Sequence, residues 1–329
     1  MDRNPVFILL IIYYTINEDG VYSNRGIREL FDFLIAEFST SGVKTYVFIP
    51  PLVAFLISLF TSMAGISGAF ILLPFQMSVL GFITPPVSST NFLYNVIGTP
   101  GGIYRYMRER RMMWPVASII ITGMIPGVLI GYYLRVRYLP DPRTFKFFVG
   151  IVLMYVAIRL LRAVWTDKAL NVEDTRRGTD RVENVLMELK KTRFDFQGAR
   201  FSFVTIGLLM LSFVVGIIGG VYGIGGGAII APFCITFFKL PVRAIAGAVL
   251  LGTFASSAAG VTFYSLIPVC GRVAAPDLPL GILFGLGGLV GMYYGAKLQE
   301  NVSERWIKLI LGTLVLVVAL RYILRFLSV

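Results

Sequence analysis

Long uncharged runs, interrupted by glycine and proline, dominate the hydropathy pattern of this chain. No Asp, Glu, Lys, Arg or His occurs in 45–104, and further uncharged runs cover 112–134, 201–238, 244–271 and 280–296. A helix that crosses a bilayer needs about 20 predominantly apolar residues, so these runs hold several spans. Two of them carry near-copies of one phrase, GISGAFILLP at 65–74 and GIGGGAIIAP at 223–232. The run 201–238 is too short for two full spans and a turn, and its glycines at 219–220, 223 and 225–227 sit in the middle. The pattern predicts a long helix, a break and then a shortened helix.

The repetition extends well beyond that phrase. A shift of 158 residues aligns Gly65 with Gly223, Gly68 with Gly226, Pro74 with Pro232, Gly102 with Gly260 and Tyr106 with Tyr264. With small insertions Gly131 pairs with Gly291, Lys146 with Lys308, and VAIR at 156–159 with VALR at 318–321. Chance overlap of apolar residues does not repeat glycines, prolines and charges in one order, so the chain reads as a tandem duplication. Each copy parses into five elements, at 46–64, 66–82, 87–105, 113–134 and 145–162, then 202–221, 224–239, 243–266, 278–297 and 305–326. An odd number of crossings inverts the second copy relative to the first. The predicted fold is an all-α polytopic membrane protein, with two inverted five-element repeats whose broken, glycine-interrupted helices face a central site. Its parts are an N-terminal segment 1–44, a first transmembrane repeat 45–163, a cytoplasmic linker 164–200 and a second transmembrane repeat 201–329. Mixed charges in the linker predict a solvated loop with one short amphipathic helix near 182–190. In the N-terminal segment, 6–16 is too short to span, while Leu30, Phe31, Leu34, Ile35 and Phe38 share a helical face and predict an interfacial helix.

Composition supports the membrane assignment. Of 329 residues, 56% are hydrophobic and 15% charged, against about 25% charged in soluble domains. The net charge of +12 does not indicate a nucleic-acid partner. Arg105, Arg108, Arg110 and Arg111 follow one span and Arg159 and Arg162 end another, and such flanking cations usually mark the cytoplasmic side. The expected partners are the lipid bilayer and a small solute, with no nucleic acid. Cys234 and Cys270 lie in or beside apolar runs and imply packed thiols rather than a disulfide framework.

Candidate chemistry follows from the breaks. Irregular backbone at membrane depth survives only where protein or a water-filled cavity satisfies it. A helix that starts there aims free N–H groups and about half a positive charge at that space. Two such starts make an anion site without a cationic side chain, and the candidate residues are Gly65, Ser67, Gly68 and Ala69 in the first copy and Gly223, Gly225, Gly226 and Gly227 in the second. Close helix packing is the competing explanation of such glycines, and it is the one assigned to GLGGLVG at 285–291. Polar residues join the site from the third elements: Asn91 and Asn95, four apart on one helix face, and Thr253 and Ser256. The chain has no histidine, its five uncharged runs have no carboxylate, and no GxxxxGK[ST] loop occurs. These features argue against a membrane enzyme, a catalytic metal, a cofactor and ATP coupling.

The phrases AGISGAFILLPFQ, SSTNFLYNVIGTPGGIYRYMRERRMMWP, RVRYLPDPRTFKFFVG and GGVYGIGGGAIIAPF resemble the sulfite exporter (TauE/SafE) family of bacterial and archaeal transporters. The likeness runs from about Pro51 to Phe326. It implies export of sulfite or a related small inorganic or organic sulfur anion across the cytoplasmic membrane by alternating access. The alternative on the same fold is an uptake carrier or channel for another small anion. The chain departs from the family in its segment before Lys44 and its long central linker, and within its own repeat in Ser67, which stands opposite Gly225.

Overall fold

The computed structural model describes residues 34–63, 66–109, 112–166, 182–186, 188, 191–196, 199–238, 240, 242–269, 271–298 and 304–328. Of the residues singled out above, Leu30, Phe31, Gly65, Arg110, Arg111 and Cys270 lie outside this set, as does the 6–16 run. The helices of the first half are α1 (Ile49–Met63), α2 (Ala69–Ser78), α3 (Pro86–Arg108), α4 (Trp114–Tyr138) and α5 (Pro142–Thr166). Those of the second are α6 (Thr205–Tyr222), α7 (Gly227–Thr236), α8 (Val242–Leu266), α9 (Leu278–Leu298) and α10 (Glu304–Leu327). Six helices, α4, α5, α6, α8, α9 and α10, contain stretches long and apolar enough to cross a bilayer, while α1 and α2 are shorter apolar helices. The chain is a mostly helical, polytopic membrane protein.

Local chemistry sets the helix boundaries. Proline occupies the first turn of α3 and of α4, where its missing N–H has no intrahelical acceptor to lose. Before α5, Asp141 accepts hydrogen bonds from the Thr144 N–H and hydroxyl, both 2.8 Å. Those bonds hold the Asp141 carboxyl below the usual carboxylate range. The carboxylate of Asp277 precedes α9 and is buried, accepting from the Leu280 N–H at 3.2 Å and the Ser41 N–H at 2.9 Å.

In the described parts of two predicted helices the chain is strand instead. Ile35–Phe38 is β1, followed by β2 at Val43–Tyr46 around a turn in which the Gly42 N–H donates to the Phe38 carbonyl at 2.8 Å. In the linker, β3 (Val182–Leu186), β4 (Thr192–Phe196) and β5 (Ala199–Phe203) form an antiparallel sheet in that order, so the amphipathic helix expected near 182–190 is absent from 182–186. The cause is alternation in TRFDF and ARFSF. Thr192, Phe194 and Phe196 are buried between exposed or half-exposed neighbours, and Phe194 stacks on Phe201 at 5.4 Å. A period of two favours strand over helix.

The strongest packing seams cross between the halves. Helix α4 lies along α6, α9 along α1, α5 along α10 and α3 along α8, with α9 also on α3 and α4 on α8. Exchanging each helix of one half for its counterpart in the other leaves this set of seams unchanged. The two most extensive seams are glycine-lined. A Cβ at Gly127 would stand 2.3 Å from the Phe213 carbonyl oxygen and one at Gly131 2.2 Å from that of Ile217. At the other seam, Gly291 and Gly295 stand at 2.4 and 2.3 Å from the carbonyls of Phe55 and Leu59. Phe55 and Phe213 are repeat mates, as are Leu59 and Ile217. By contact, Gly131 therefore corresponds to Gly295, one helical turn beyond the Gly291 that sequence alignment selects. The α8–α9 connection, 267–277, is longer than its counterpart at 109–113 and shifts the register.

Small residues at helix contacts let transmembrane backbones approach, and these seams have no space for a side chain. Gly127→Val is expected to destabilise the fold by about 3 kcal/mol or more, read as lost monodisperse yield and lowered Tm. Gly207→Ala, whose Cβ would meet Phe238 at 3.5 Å, is expected to fold as the parent does. An equally stable Gly127→Val protein would show that the α4–α6 seam is not close-packed.

Candidate functional site

The two breaks meet, and one side chain joins them. The Asn91 Nδ2 donates to the Ala69 carbonyl at 2.9 Å and to the Gly223 carbonyl at 3.0 Å. Carbonyls only accept, so the orientation of this amide is fixed. Its Oδ1 in turn accepts from Gln76 Nε2 at 3.2 Å. Asn91 thus spends both amide hydrogens on the first residue of α2 and the end of α6. A second bond crosses the same junction. Pro74 has no N–H to give the Phe70 carbonyl four residues earlier, and the Tyr222 hydroxyl supplies the donor at 2.8 Å.

The first break is built with side chains. Ser67 accepts from the Ala69 N–H at 3.3 Å and donates to Asn95 Oδ1 at 2.5 Å. Gly68 has ordinary helical geometry, φ −71°, but its Cβ would lie 2.7 Å from both Ile57 Cγ2 and the Tyr94 hydroxyl. Tyr94 bonds Ser58 at 2.7 Å.

The second break is built with backbone. Gly223, Gly225 and Gly226 have φ of +88°, +63° and +75°, a region costly for residues with a Cβ. Ser256 donates to the Gly225 carbonyl at 2.9 Å. Cβ atoms at Gly225 and Gly227 would fall 2.5 Å from Ser257 Oγ and 2.2 Å from Thr253 Oγ1, so α8 approaches this loop as closely as glycine allows. A Cβ at Gly226 would meet Met124 Cε at 2.3 Å. The Ile229 and Ile230 N–H groups both donate to the Gly226 carbonyl at 3.0 Å, so the N–H groups of α7 that precede its own acceptors are those of Gly227 and Ala228.

The described site residues are all buried. They form two groups, Ser67–Ala69 with Asn95 and Gly223–Gly227 with Thr253 and Ser256, with Asn91 bonded to both breaks. Sequence reasoning passed over Gln76, Tyr94, Ser257 as a site residue, and Arg135. Arg135 is fully buried on α4; its guanidinium lies 3.6 Å over the Phe145 ring and donates to the Leu139 carbonyl. The available signal was a cation within a span, three residues past Tyr132.

The unpaired atoms give the site its electrostatic character. Among the described residues, the buried side-chain atoms without a partner are Gln76 Oε1, Asn95 Nδ2, Arg135 Nε and one Nη, and Ser257 Oγ. The two Arg135 nitrogens lie by Phe145 and Leu139; beside the breaks the unpaired atoms are one amide N–H, one hydroxyl and one carbonyl acceptor. Each orphaned donor costs about 1–3 kcal/mol. The buried carboxylate among the described residues, Asp277, is engaged at the start of α9. Donors at two helix starts without a carboxylate suit an oxyanion, whose oxygens only accept.

The chain matches the family model for the sulfite exporter TauE/SafE over residues 51–322. It is 23% identical to the probable membrane transporter protein YunE of Bacillus subtilis, covering 74% of this chain and 84% of that protein. It is 25% identical to the probable membrane transporter protein YjnA of the same organism, covering 79% and 93%. With the probable membrane transporter protein MJ0441 of Methanocaldococcus jannaschii the identity is 22%, covering 82% and 92%. No solved structure matches the chain.

Asn91 and Asn95 are expected to behave differently despite sharing a helix face. Asn91→Ala removes the side-chain donor to two buried carbonyls and the acceptor of the Gln76 amide and is expected to cost about 3 kcal/mol or more. Asn95→Ala removes an orphaned amide and frees only the Ser67 proton, so its stability is expected within about 1 kcal/mol of the parent. Thermal melts of the two purified proteins make the comparison. Equal losses would mean that Asn91 does not tie the breaks together.

Proposed function

The chain belongs to the TauE/SafE sulfite exporter family, and we propose that it exports a small sulfur-containing oxyanion, sulfite or an organosulfonate, across the cytoplasmic membrane by alternating access around the two joined breaks. The observation that carries this reading is one unpaired buried donor beside each break, Asn95 Nδ2 in the first half and Ser257 Oγ in the second, at helix starts that lack carboxylates. The oxygens of a sulfite or sulfonate accept hydrogen bonds and leave no donor to place.

In this mechanism the repeats are inverted and related by an axis in the membrane plane, with the 167–200 linker cytoplasmic and both termini outside. The exchange symmetry of the packing seams supports that relation. The seams also define the moving bodies. Glycine contacts without clearance keep α1 with α9 and α4 with α6. Each body therefore mixes helices of both repeats, and rocking occurs between bodies centred on those pairs rather than between the two halves of the sequence. The Asn91 bonds to Ala69 and Gly223 cross that division and exchange partners as the site opens.

No titrating side chain is needed for coupling. One charge moved through 100 mV is worth about 2.3 kcal/mol, and an inside-negative potential expels an anion. The test is flux in proteoliposomes loaded with sulfite, sulfonates, thiosulfate or chloride. A protein-dependent sulfite or sulfonate current is expected under an imposed potential without a pH gradient, reduced about tenfold or more in Asn95→Ala and Ser257→Ala. Flux of chloride alone would assign the fold to another anion, and no flux of any anion would end the transport reading.

Topology has its own check, in a background with Cys234 and Cys270 replaced. Single cysteines at Arg176 and Val329 are treated on intact cells with a membrane-impermeant thiol reagent. Label at 329 but not at 176 is expected; label at both or at neither would refute the inversion.

A further inference from the structure

Away from the paired breaks, a cavity of about 430 Å³ opens where the end of α2, the start of α5 and the end of α10 converge. Its lining includes Arg143, Lys146, Arg321 and Arg325 together with Ser78 and Tyr322, and among the described residues no carboxylate lines it. Tyr322 is buried and its hydroxyl bonds Ser78 at 2.6 Å, so the floor is a fixed hydroxyl pair.

Helix-end electrostatics account for half of these charges. Arg321 and Arg325 lie in the last two turns of α10, where the negative end of the helix dipole favours cations. Arg143 and Lys146 lie in the first two turns of α5, where the dipole is positive and disfavours them. Asp141 just before them accepts from Thr144 and also lies close enough to Arg143 to offset part of its charge. Four cations therefore converge at this end of the seam, and an anion in the cavity would offset their mutual repulsion. At the opposite end of the α5–α10 seam the repeat mate of Arg321 is Arg159, and there the charge is covered by the Phe233 and Phe237 rings, at 5.3 and 5.5 Å.

We propose that this cavity is a separate oxyanion site, taking a phosphate- or sulfate-type group on Arg143, Lys146, Arg321 and Arg325. The group belongs either to an anionic lipid headgroup or to a free ion. The inference does not depend on what the paired breaks transport.

The test compares the full-length purified protein with the variant Arg321→Gln/Arg325→Gln. Both arginines are exposed, so the fold is expected to survive. Sodium sulfate is titrated against the Tm in detergent, and retained phosphatidylglycerol is measured by native mass spectrometry after exchange into phosphatidylcholine. Loss of about fivefold in affinity per charge removed is expected. Saturable sulfate stabilisation weakened in the variant identifies a free ion; phosphatidylglycerol retained by the parent and lost by the variant identifies a headgroup. Asn95→Ala/Ser257→Ala serves as the comparator and is expected to keep the cavity's ligand. If parent and arginine variant respond alike to both probes, or if binding follows the comparator instead, the cavity site is refuted. Either result leaves the flux measurements to decide transport separately.

Discussion

The structure depends on one amide bridging two places where the backbone leaves the helix inside an apolar slab. Lipid offers no donor or acceptor, so a break in a transmembrane helix must find its partners within the protein. Asn91 provides them for both halves at once, at Ala69 and Gly223. Tyr222 adds the donor that Pro74 cannot give to Phe70. These bonds form only if α3, the start of α2 and the end of α6 come within side-chain reach, and the surrounding helices are packed accordingly. Gly223 has the Ser88 backbone against it, with 2.3 Å from its absent Cβ to the Ser88 carbonyl oxygen.

The glycine seams follow from the same requirement. Holding broken backbone dry requires helices close enough to exclude lipid and stray water, and α4–α6 and α1–α9 reach that distance by removing side chains from the contact. Because both seams cross between the repeats, neither repeat completes its own interior. The sequence reads as two halves, but their helices interleave in the fold. For the same reason the breaks from the two halves lie side by side.

Much of this was legible from the chain. The positions of the breaks, the shortened helices behind them, the ten-helix parse and the polar third elements all come from the spacing of glycine, proline and polar residues among apolar ones, a local signal. Partner identity is not local. Asn91 and Asn95 share a face, yet one is bonded through every amide atom and the other leaves its Nδ2 bare. Only the position of Ser67, 28 residues away from Asn95, decides that difference. The Gly131 pairing failed because alignment scores residue identity, while the α8–α9 connection had lengthened and moved the contact by a turn. The strands at 192–203 were missed for another reason: mixed charge was weighed above the period-two placement of phenylalanine.

The two breaks are built differently at corresponding places in the two halves. In the second half, three left-handed glycines bring backbone directly under Thr253 and Ser257. In the first, the residue opposite Gly225 is Ser67, whose hydroxyl accepts from the Ala69 N–H and passes its own proton to Asn95. One helix start therefore has its N–H already engaged through a serine, while the other keeps its first N–H groups beside a bare hydroxyl. A serine at position 225 would need the left-handed backbone that glycine adopts freely, and its Cβ would fall 2.5 Å from Ser257 Oγ. A glycine at position 67 would leave both the Ala69 N–H and Asn95 Oδ1 without their partner. Each break is thus committed to its own residue by contacts already made. The two breaks are therefore not interchangeable.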